Sequence, residues 1–303
     1  MIRDTKGDRV FSIVNGALLT LLTLLIAYPL YFVVIASVSN YIEINSGNVI
    51  LLPAGLTFDS YRYVLEYKDI WNGYKNTIII TLLGTSINLL FTFAGAYALS
   101  KSRLPGMRAC MLLITFTMFF GGGLIPTYML VSDLGMRNTF WAMILPGAVS
   151  AYNLVLVRNY YQKNIPEELL QAAMIDGCDD MRVFRSIVLP LSVPMLATMA
   201  LFYGVGHWNQ FFDALIYLSD RSMYPLQQVL REILLINTEG TLNMAGNASE
   251  AMAEGSAALS EMINRAETMK YAVIIVASVP VLIIYPFLQR YFMKGMLVGS
   301  LKG

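Results

Sequence analysis

The sequence predicts an all-α integral membrane protein with six transmembrane helices. Of its 303 residues, 56% are hydrophobic and only 14% are charged, and mean hydropathy is +0.58; a soluble domain carries about a quarter charged residues. Apolar stretches of about 20 residues, the length that crosses a bilayer as a helix, recur six times along the chain. Lysine and arginine concentrate in alternate connecting segments, the pattern left by a chain threaded back and forth through a membrane.

Residues 1–9 are read as a short cytoplasmic N-terminus carrying Arg3, Lys6 and Arg9. The apolar run over 10–38 is too long for the core of a secretory signal and is expected to remain as an anchor. The further spans are 76–100, 109–132, 139–157, 187–212 and 271–289. Each is read as a helix, because lipid offers no partner to an open backbone. Gly121-Gly122-Gly123 weakens the third span. Consecutive glycines there permit a bend or close helix packing, and packing is the expected use. Residues 10–303 are read as one transmembrane domain.

With an internal N-terminus, the inner segments hold Arg3, Lys6, Arg9, Lys101, Arg103, Arg108, Arg158, Lys163, Arg182, Arg185, Arg290, Lys294 and Lys302, thirteen of the 21 basic residues. The other eight are spread over longer outer segments, so both termini are assigned to the cytoplasm. The outer segments are 39–75, a short turn at 133–138, and 213–270, which is long for a simple connection. Within the last, the stretch rich in Ala, Glu, Met and Asn is expected to form a solvated surface helix over 248–269.

Composition also excludes. A net charge of +1 leaves no field for nucleic acid. Cys110 and Cys178 are far apart and lack metal-binding or disulfide spacing. The spans contain no ionisable side chain except His207, read as an interfacial hydrogen-bonding residue, whereas an ion-coupled carrier usually binds its ion through charged groups at the midplane. No phosphate loop, HExxH or GxSxG motif occurs. Asp176, Asp179 and Asp180 sit where helix caps belong and lack the further ligands a metal would need. Any energy for transport must come from another subunit.

The most informative stretch lies between the fourth and fifth spans, in the cytoplasmic loop 158–186 and its continuation to Pro190. It reads as two short helices joined at Gly177. Asn164 caps the first, Pro166 suits its opening turn, and Glu167 and Glu168 complement the helix dipole. Gly177 takes the left-handed conformation that ends the helix, and Asp179 or Asp180 caps the next. The first helix presents Leu169, Ala172, Ala173 and Met174, and paired alanines allow close approach to another surface. Helix signals alone leave open whether that surface belongs to this chain or to a partner.

The segment resembles the EAA loop of ABC-importer permeases, whose pattern is Glu-Ala-Ala, three residues, Gly, nine residues, Ile, one residue, Leu-Pro. Gln171-Ala172-Ala173, Gly177, Ile187 and Leu189-Pro190 keep the spacing, with Gln171 in place of the usual glutamate. Ile165 to Leu169 and Ile175-Asp176-Gly177 are of the carbohydrate-importer type. Gly122 to Tyr128, Phe202 to Val205, His207-Trp208-Asn209, Pro225-Leu226-Gln227 and the closing Gly299-Ser300-Leu301-Lys302-Gly303 are similar to the lipoprotein/oligosaccharide branch of the maltose-type permeases.

The resemblance implies the type I importer permease fold with a cytoplasmic coupling helix, in a multi-pass protein of the bacterial cell membrane. It implies a transporter subunit and not an enzyme, paired with a second homologous permease as a heterodimer. Two ATPase subunits would bind ATP and Mg in place of any cofactor here, and an extracellular lipoprotein would deliver an oligosaccharide. Pro166, Glu167, Leu169, Gln171, Ala172, Ala173, Asp176, Gly177 and Pro190 are then the ATPase-coupling residues. The terminal Lys302 and Gly303 resemble the tail that contacts the ATPase pair. Sugars ask for aromatic faces and neutral hydrogen-bonding groups, which Trp208, Asn209, Phe211, Tyr128, Tyr152 and Asn153 offer near the membrane core or outer end. Two alternatives stand beside this reading: an ABC permease for a non-sugar solute, and an ion-coupled secondary carrier.

Overall fold

The computed structural model describes residues 6–101, 106–235 and 269–286, and every regular element among them is helical. In chain order these are α1 (Lys6–Ser37), α2 (Tyr41–Asn45), α3 (Asp59–Glu66), α4 (Lys68–Ser100), α5 (Met107–Phe119), α6 (Leu124–Asp133), α7 (Trp141–Ile144), α8 (Ala151–Asn164), α9 (Glu167–Ile175), α10 (Asp180–Val183), α11 (Leu189–Leu191), α12 (Val193–Trp208) and α13 (Phe212–Tyr217). Helix α14 covers 226–235 and α15 covers Met269–Pro286. The tail residues Lys302 and Gly303, and the surface helix expected over 248–269 except for its last residue, lie outside the described residues.

Among the described residues three uninterrupted helices are long and apolar enough to cross a membrane, Gly7–Ser37, Lys68–Ser100 and Met269–Pro286, and two bent helix pairs bring the number to five where six were expected. The second starts eight residues before the sequence suggested, because Lys68, Asp69, Asn72 and Lys75 lower the local hydropathy without breaking the helix.

The other expected spans are broken, each for a local reason. In the third, α5 and α6 meet at 113° across Gly121–Gly123. Gly123 has φ +82 and ψ 175, open only to glycine. A Cβ on Gly121 or Gly123 would meet nothing within 4 Å among the described residues, so within them these glycines serve the bend. In the fourth, Pro146 lies between α7 and α8, and Ser150 restarts the helix by accepting a hydrogen bond from the Asn153 N–H. In the fifth, a π-helical turn at Phe184–Val188 precedes Pro190, and the chain bends by 81° at Ser192. Pro190 and Pro194 donate no N–H, so the ladder fails there; Ser192 Oγ donates to Val188 O (2.7 Å) and Thr198 Oγ1 to Pro194 O (2.9 Å), re-engaging carbonyls at the break.

The described residues cluster into two compact units. The first comprises 6–68, 230–235 and 269–279. Here α1 is almost wholly exposed until its last turn, where Ile35 and Ala36 are buried and Phe32 meets Tyr271 edge-on with centroids 5.9 Å apart. The second comprises 69–101, 106–229 and 280–286. Its core joins α4, α8, α9, α10 and α12 through residues such as Phe93, Tyr161, Ala173, Val183 and Met199. Thr92 and Tyr203 share a buried hydroxyl–hydroxyl bond of 2.8 Å inside it.

Candidate functional site

The loop between α8 and α11 folds as two short helices around a glycine. Helix α9 opens on Pro166 at the N-cap position with Glu167 and Glu168 in its first turn. Asn164 does not cap it as expected; its side-chain amide turns back to Tyr160 O at 3.0 Å, because α8 runs on to Asn164. After the C-cap Asp176, Gly177 takes φ +80, and the Cys178 N–H reaches back to Ala173 O at 3.0 Å, closing the helix end. Asp179 caps α10 by accepting from the Arg182 N–H at 3.1 Å.

Along α9 only Ala173 is buried. Leu169 and Met174 are exposed, Ile175 is 86% exposed, and Met181 beyond the turn is exposed as well. Among the described residues nothing covers these apolar side chains on α9 and its neighbour. Gln171 is exposed and donates to Glu167 Oε1 at 3.4 Å, an uncharged partner for that carboxylate one turn away.

Between α9 and the end of α4 lies a cavity of about 760 Å³, bordered by Glu167, Leu170, Gln171 and Met174 on one side and Tyr97, Ser100 and Lys101 on the other. Lys101 pairs with Asp180 and lies over the Tyr97 ring, 4.7 Å from its centroid. Partial burial opposes the ammonium charge, yet Asp180 and Tyr97 outweigh it and hold Lys101 above the ordinary lysine range. Burial also pushes the Tyr161 phenol up.

A second polar cluster sits along α4 and the end of α12. His207 is buried, with Nε2 2.7 Å from Asn88 Oδ1 and Nδ1 3.2 Å from Gln210 Oε1. The Asn88 amide donates to Gly147 O (2.7 Å) and Ala148 O (2.9 Å), two carbonyls freed by the break between α7 and α8. Gly84 makes room for the imidazole, since a Cβ there would stand 2.4 Å from His207 Nε2. Next to it, Trp208 is buried with its ring 6.2 Å from Tyr74, which is in turn 6.2 Å from Trp71. Asn209 is exposed and accepts from Gln227 Nε2 at 3.4 Å.

A sequence profile of the binding-protein-dependent transport system inner membrane component family matches residues 2–298. The chain belongs to this family. It is 39% identical over 296 residues to the polygalacturonan/rhamnogalacturonan transport system permease protein YtcP of Bacillus subtilis (strain 168), covering 98% of this chain and 99% of that one. It is 38% identical over 302 residues to protein LplC of the same organism, covering 100% and 98%. A crystal structure of a bacterial ABC transporter involved in the import of the acidic polysaccharide alginate matches with a TM-score of 0.84 at 33% identity, over 96% of this chain and 100% of the other.

As a binding-protein-dependent inner membrane component, the chain is a membrane-embedded transporter subunit of an ABC import system, working with permease and ATPase partners, and is not an enzyme. Among the described residues no group of three or more His, Cys, Asp or Glu side chains is arranged to hold a metal. The residues Pro166 to Gly177 come together on one loop, while Pro190 stands apart at the bend into α12. Of the sugar-path candidates, Trp208, Asn209 and Phe211 share one helix end, Phe211 lying edge-on to Phe212 at 6.5 Å. Tyr128 is engaged elsewhere, stacked on Tyr217 at 6.1 Å with Arg137 over its ring. Tyr152 is exposed and Asn153 forms the first turn of α8. Sequence reading missed Trp71, Tyr74, Asn88 and Gln227, which stand more than 100 residues away from, or across a turn from, the residues they meet; intramembrane asparagine was the one available signal.

Proposed function

We propose that this chain is a permease subunit of an ATP-driven oligosaccharide importer, forming half of the translocation pathway beside a second, homologous permease. Its six spans, with both termini cytoplasmic, are those read from hydropathy and basic-residue placement: three unbroken helices, the two bent pairs as broken spans, and the α7–α8 segment as the sixth. The loop over 164–190 docks on a separate ATPase that binds ATP and Mg, two copies per complex, and an extracellular lipoprotein delivers the sugar.

The single observation that carries the docking reading is the exposure of Leu169, Met174 and Ile175 on α9 and of Met181 on the adjoining α10. Apolar side chains left in water gain roughly 25 cal/mol per Å² when buried, and a clustered patch of them marks a protein partner. When the ATPase pair closes on ATP, a helix seated in its groove moves as a unit. The spans then shift between inward-open and outward-open states, a change of population driven by differential contacts. Support for a sugar comes from the relatives above, among them a permease of polygalacturonan and rhamnogalacturonan. Trp208, Asn209, Phe211, Tyr128, Tyr152 and Asn153 remain the candidate sugar-facing groups.

The test is uptake of labelled oligogalacturonides by cells that carry this chain with its partner permease and binding protein, with and without the ATPase. Uptake that vanishes with the ATPase supports the proposal. Undiminished uptake that instead collapses with the ion gradient points to the secondary carrier.

A further inference from the structure

The cavity beneath α9 poses a mechanical question. Helix α9 carries exposed apolar side chains, and a cavity of about 760 Å³ lined by its Glu167, Leu170, Gln171 and Met174 opens beside the end of α4. Ala173 of α9 belongs to the core that holds Phe93 and Tyr97 of α4, and Leu170 packs against it. The rest of the path from α9 to α4 runs through the segments on either side of α9.

Both segments grip the end of α4, one at Leu99 and Ser100, the other at Lys101 and Tyr97. The last carbonyls of a helix have no partner within it, and at the end of α4 two of them are taken by α8. Arg158 Nε donates to Leu99 O at 3.0 Å, and Gln162 Nε2 donates to Ser100 O at 3.5 Å. The guanidinium also meets the negative end of the helix dipole. On the other side of α9, Asp180 at the start of α10 pairs with Lys101, whose ammonium lies over Tyr97. Phe184, just beyond α10, packs on the same Tyr97 ring at 5.1 Å. An exposed ion pair adds little stability, so the worth of this one is geometric.

The far end of α4 is tied just as firmly. Asn76 donates to Ser222 O (2.8 Å) and Tyr224 O (3.0 Å), and Thr77 Oγ1 accepts from the Leu226 N–H (2.8 Å). Gly73 lets that segment approach so closely that a Cβ would stand 3.0 Å from Leu226 Cα. Between the two ends run 33 helical residues without a proline, about 50 Å at 1.5 Å per residue.

We propose that Lys101, Arg158 and Asp180 are positioning residues that clasp the inner end of α4 between the helices entering and leaving the coupling loop, making α4 the rod that carries the loop's movement to the segment at 222–226. The proposal rests on the importer reading above.

The test uses the full complex with partner permease, ATPases and binding protein in lipid nanodiscs, in a Cys110→Ser, Cys178→Ser background. Asn72→Cys, exposed near the outer end of α4, reports movement through its maleimide labelling rate with and without ATP and vanadate. The parent complex changes that rate at least threefold on ATP. Lys101→Glu removes the change while the ATPase still co-purifies and hydrolysis stays within twofold; adding Asp180→Lys restores at least half of it, and Lys101→Arg retains it. The clasp is overturned if Lys101→Glu keeps the full change, if hydrolysis falls in proportion, or if the reversed pair does not rescue. A parent complex that hydrolyses no ATP contradicts the importer reading and the clasp together, whereas a parent that hydrolyses ATP without moving residue 72 contradicts the clasp alone.

Discussion

Asn88 Oδ1 stands 2.7 Å from His207 Nε2, and the amide nitrogen of the same side chain holds the two carbonyls exposed by the Pro146 break. One buried asparagine thus joins α4, the interruption between α7 and α8, and the end of α12. Asn88→Ala leaves the Gly147 and Ala148 carbonyls and the buried His207 ring without this partner, and an unmade buried bond costs about 1–3 kcal/mol. A fall in melting temperature of the purified protein in detergent is expected, with no chemistry lost.

Gly84→Ala acts on the same joint by another route, driving a methyl group into the His207 ring. Both substitutions displace His207, so their effects on stability are expected to be less than additive. Thermal unfolding of the two single variants and the double variant measures this; strict additivity would refute the shared joint.

Gly177 holds φ +80 with open space around its missing Cβ, so the obstacle to substitution is conformational. Gly177→Val costs on the order of 1–2 kcal/mol for a left-handed residue and reorients α10 relative to α9. Recovery of the ATPase with the tagged permease drops sharply, while the melting temperature of the isolated subunit falls by only a few degrees.

Ile175 offers the complementary case. At 86% exposure, Ile175→Ser changes the subunit's own stability by about 0.5 kcal/mol or less. Its loss from a docked interface weakens ATPase binding by roughly tenfold, or about 1.4 kcal/mol. Titration of the ATPase onto the subunit in nanodiscs separates the two quantities.

At the end of α12, Trp208 and Asn209 are adjacent in sequence but unlike in setting. Trp208→Ala removes a buried ring packed on Tyr74 and costs about 3–5 kcal/mol of stability. Asn209→Ala, at an exposed amide, leaves melting unchanged and, on the proposed sugar path, raises the oligosaccharide concentration for half-maximal uptake about tenfold. Uptake curves beside melting curves tell packing from recognition.

How much of this was legible before the structure follows from range. The two helices around Gly177 and the Asp179 cap are set by residues within four positions of one another, so local chemistry reveals them. The long apolar helices, α1, α4 and α15, are legible because hydropathy integrates over 18 or more residues. The breaks were harder. Pro146, Pro190 and Gly121–Gly123 announce weak points, but whether a weak point becomes a bend depends on what packs beside it, and nothing among the described residues fills the space at Gly121 and Gly123. Asn164 was a plausible cap that lost to the continuation of α8. Least legible were the partners of Asn88, Lys101 and Trp208, each set by residues 50 to more than 100 positions away.

The central claim, that this chain works as a permease driven by a separate ATPase, is tested most directly by affinity purification from its native membrane and identification of what accompanies it. Recovery of a second permease together with ATPase subunits, and ATP-dependent transport by that assembly in liposomes, is the predicted result. A chain that purifies alone and moves solute across liposomes without ATP would contradict the account.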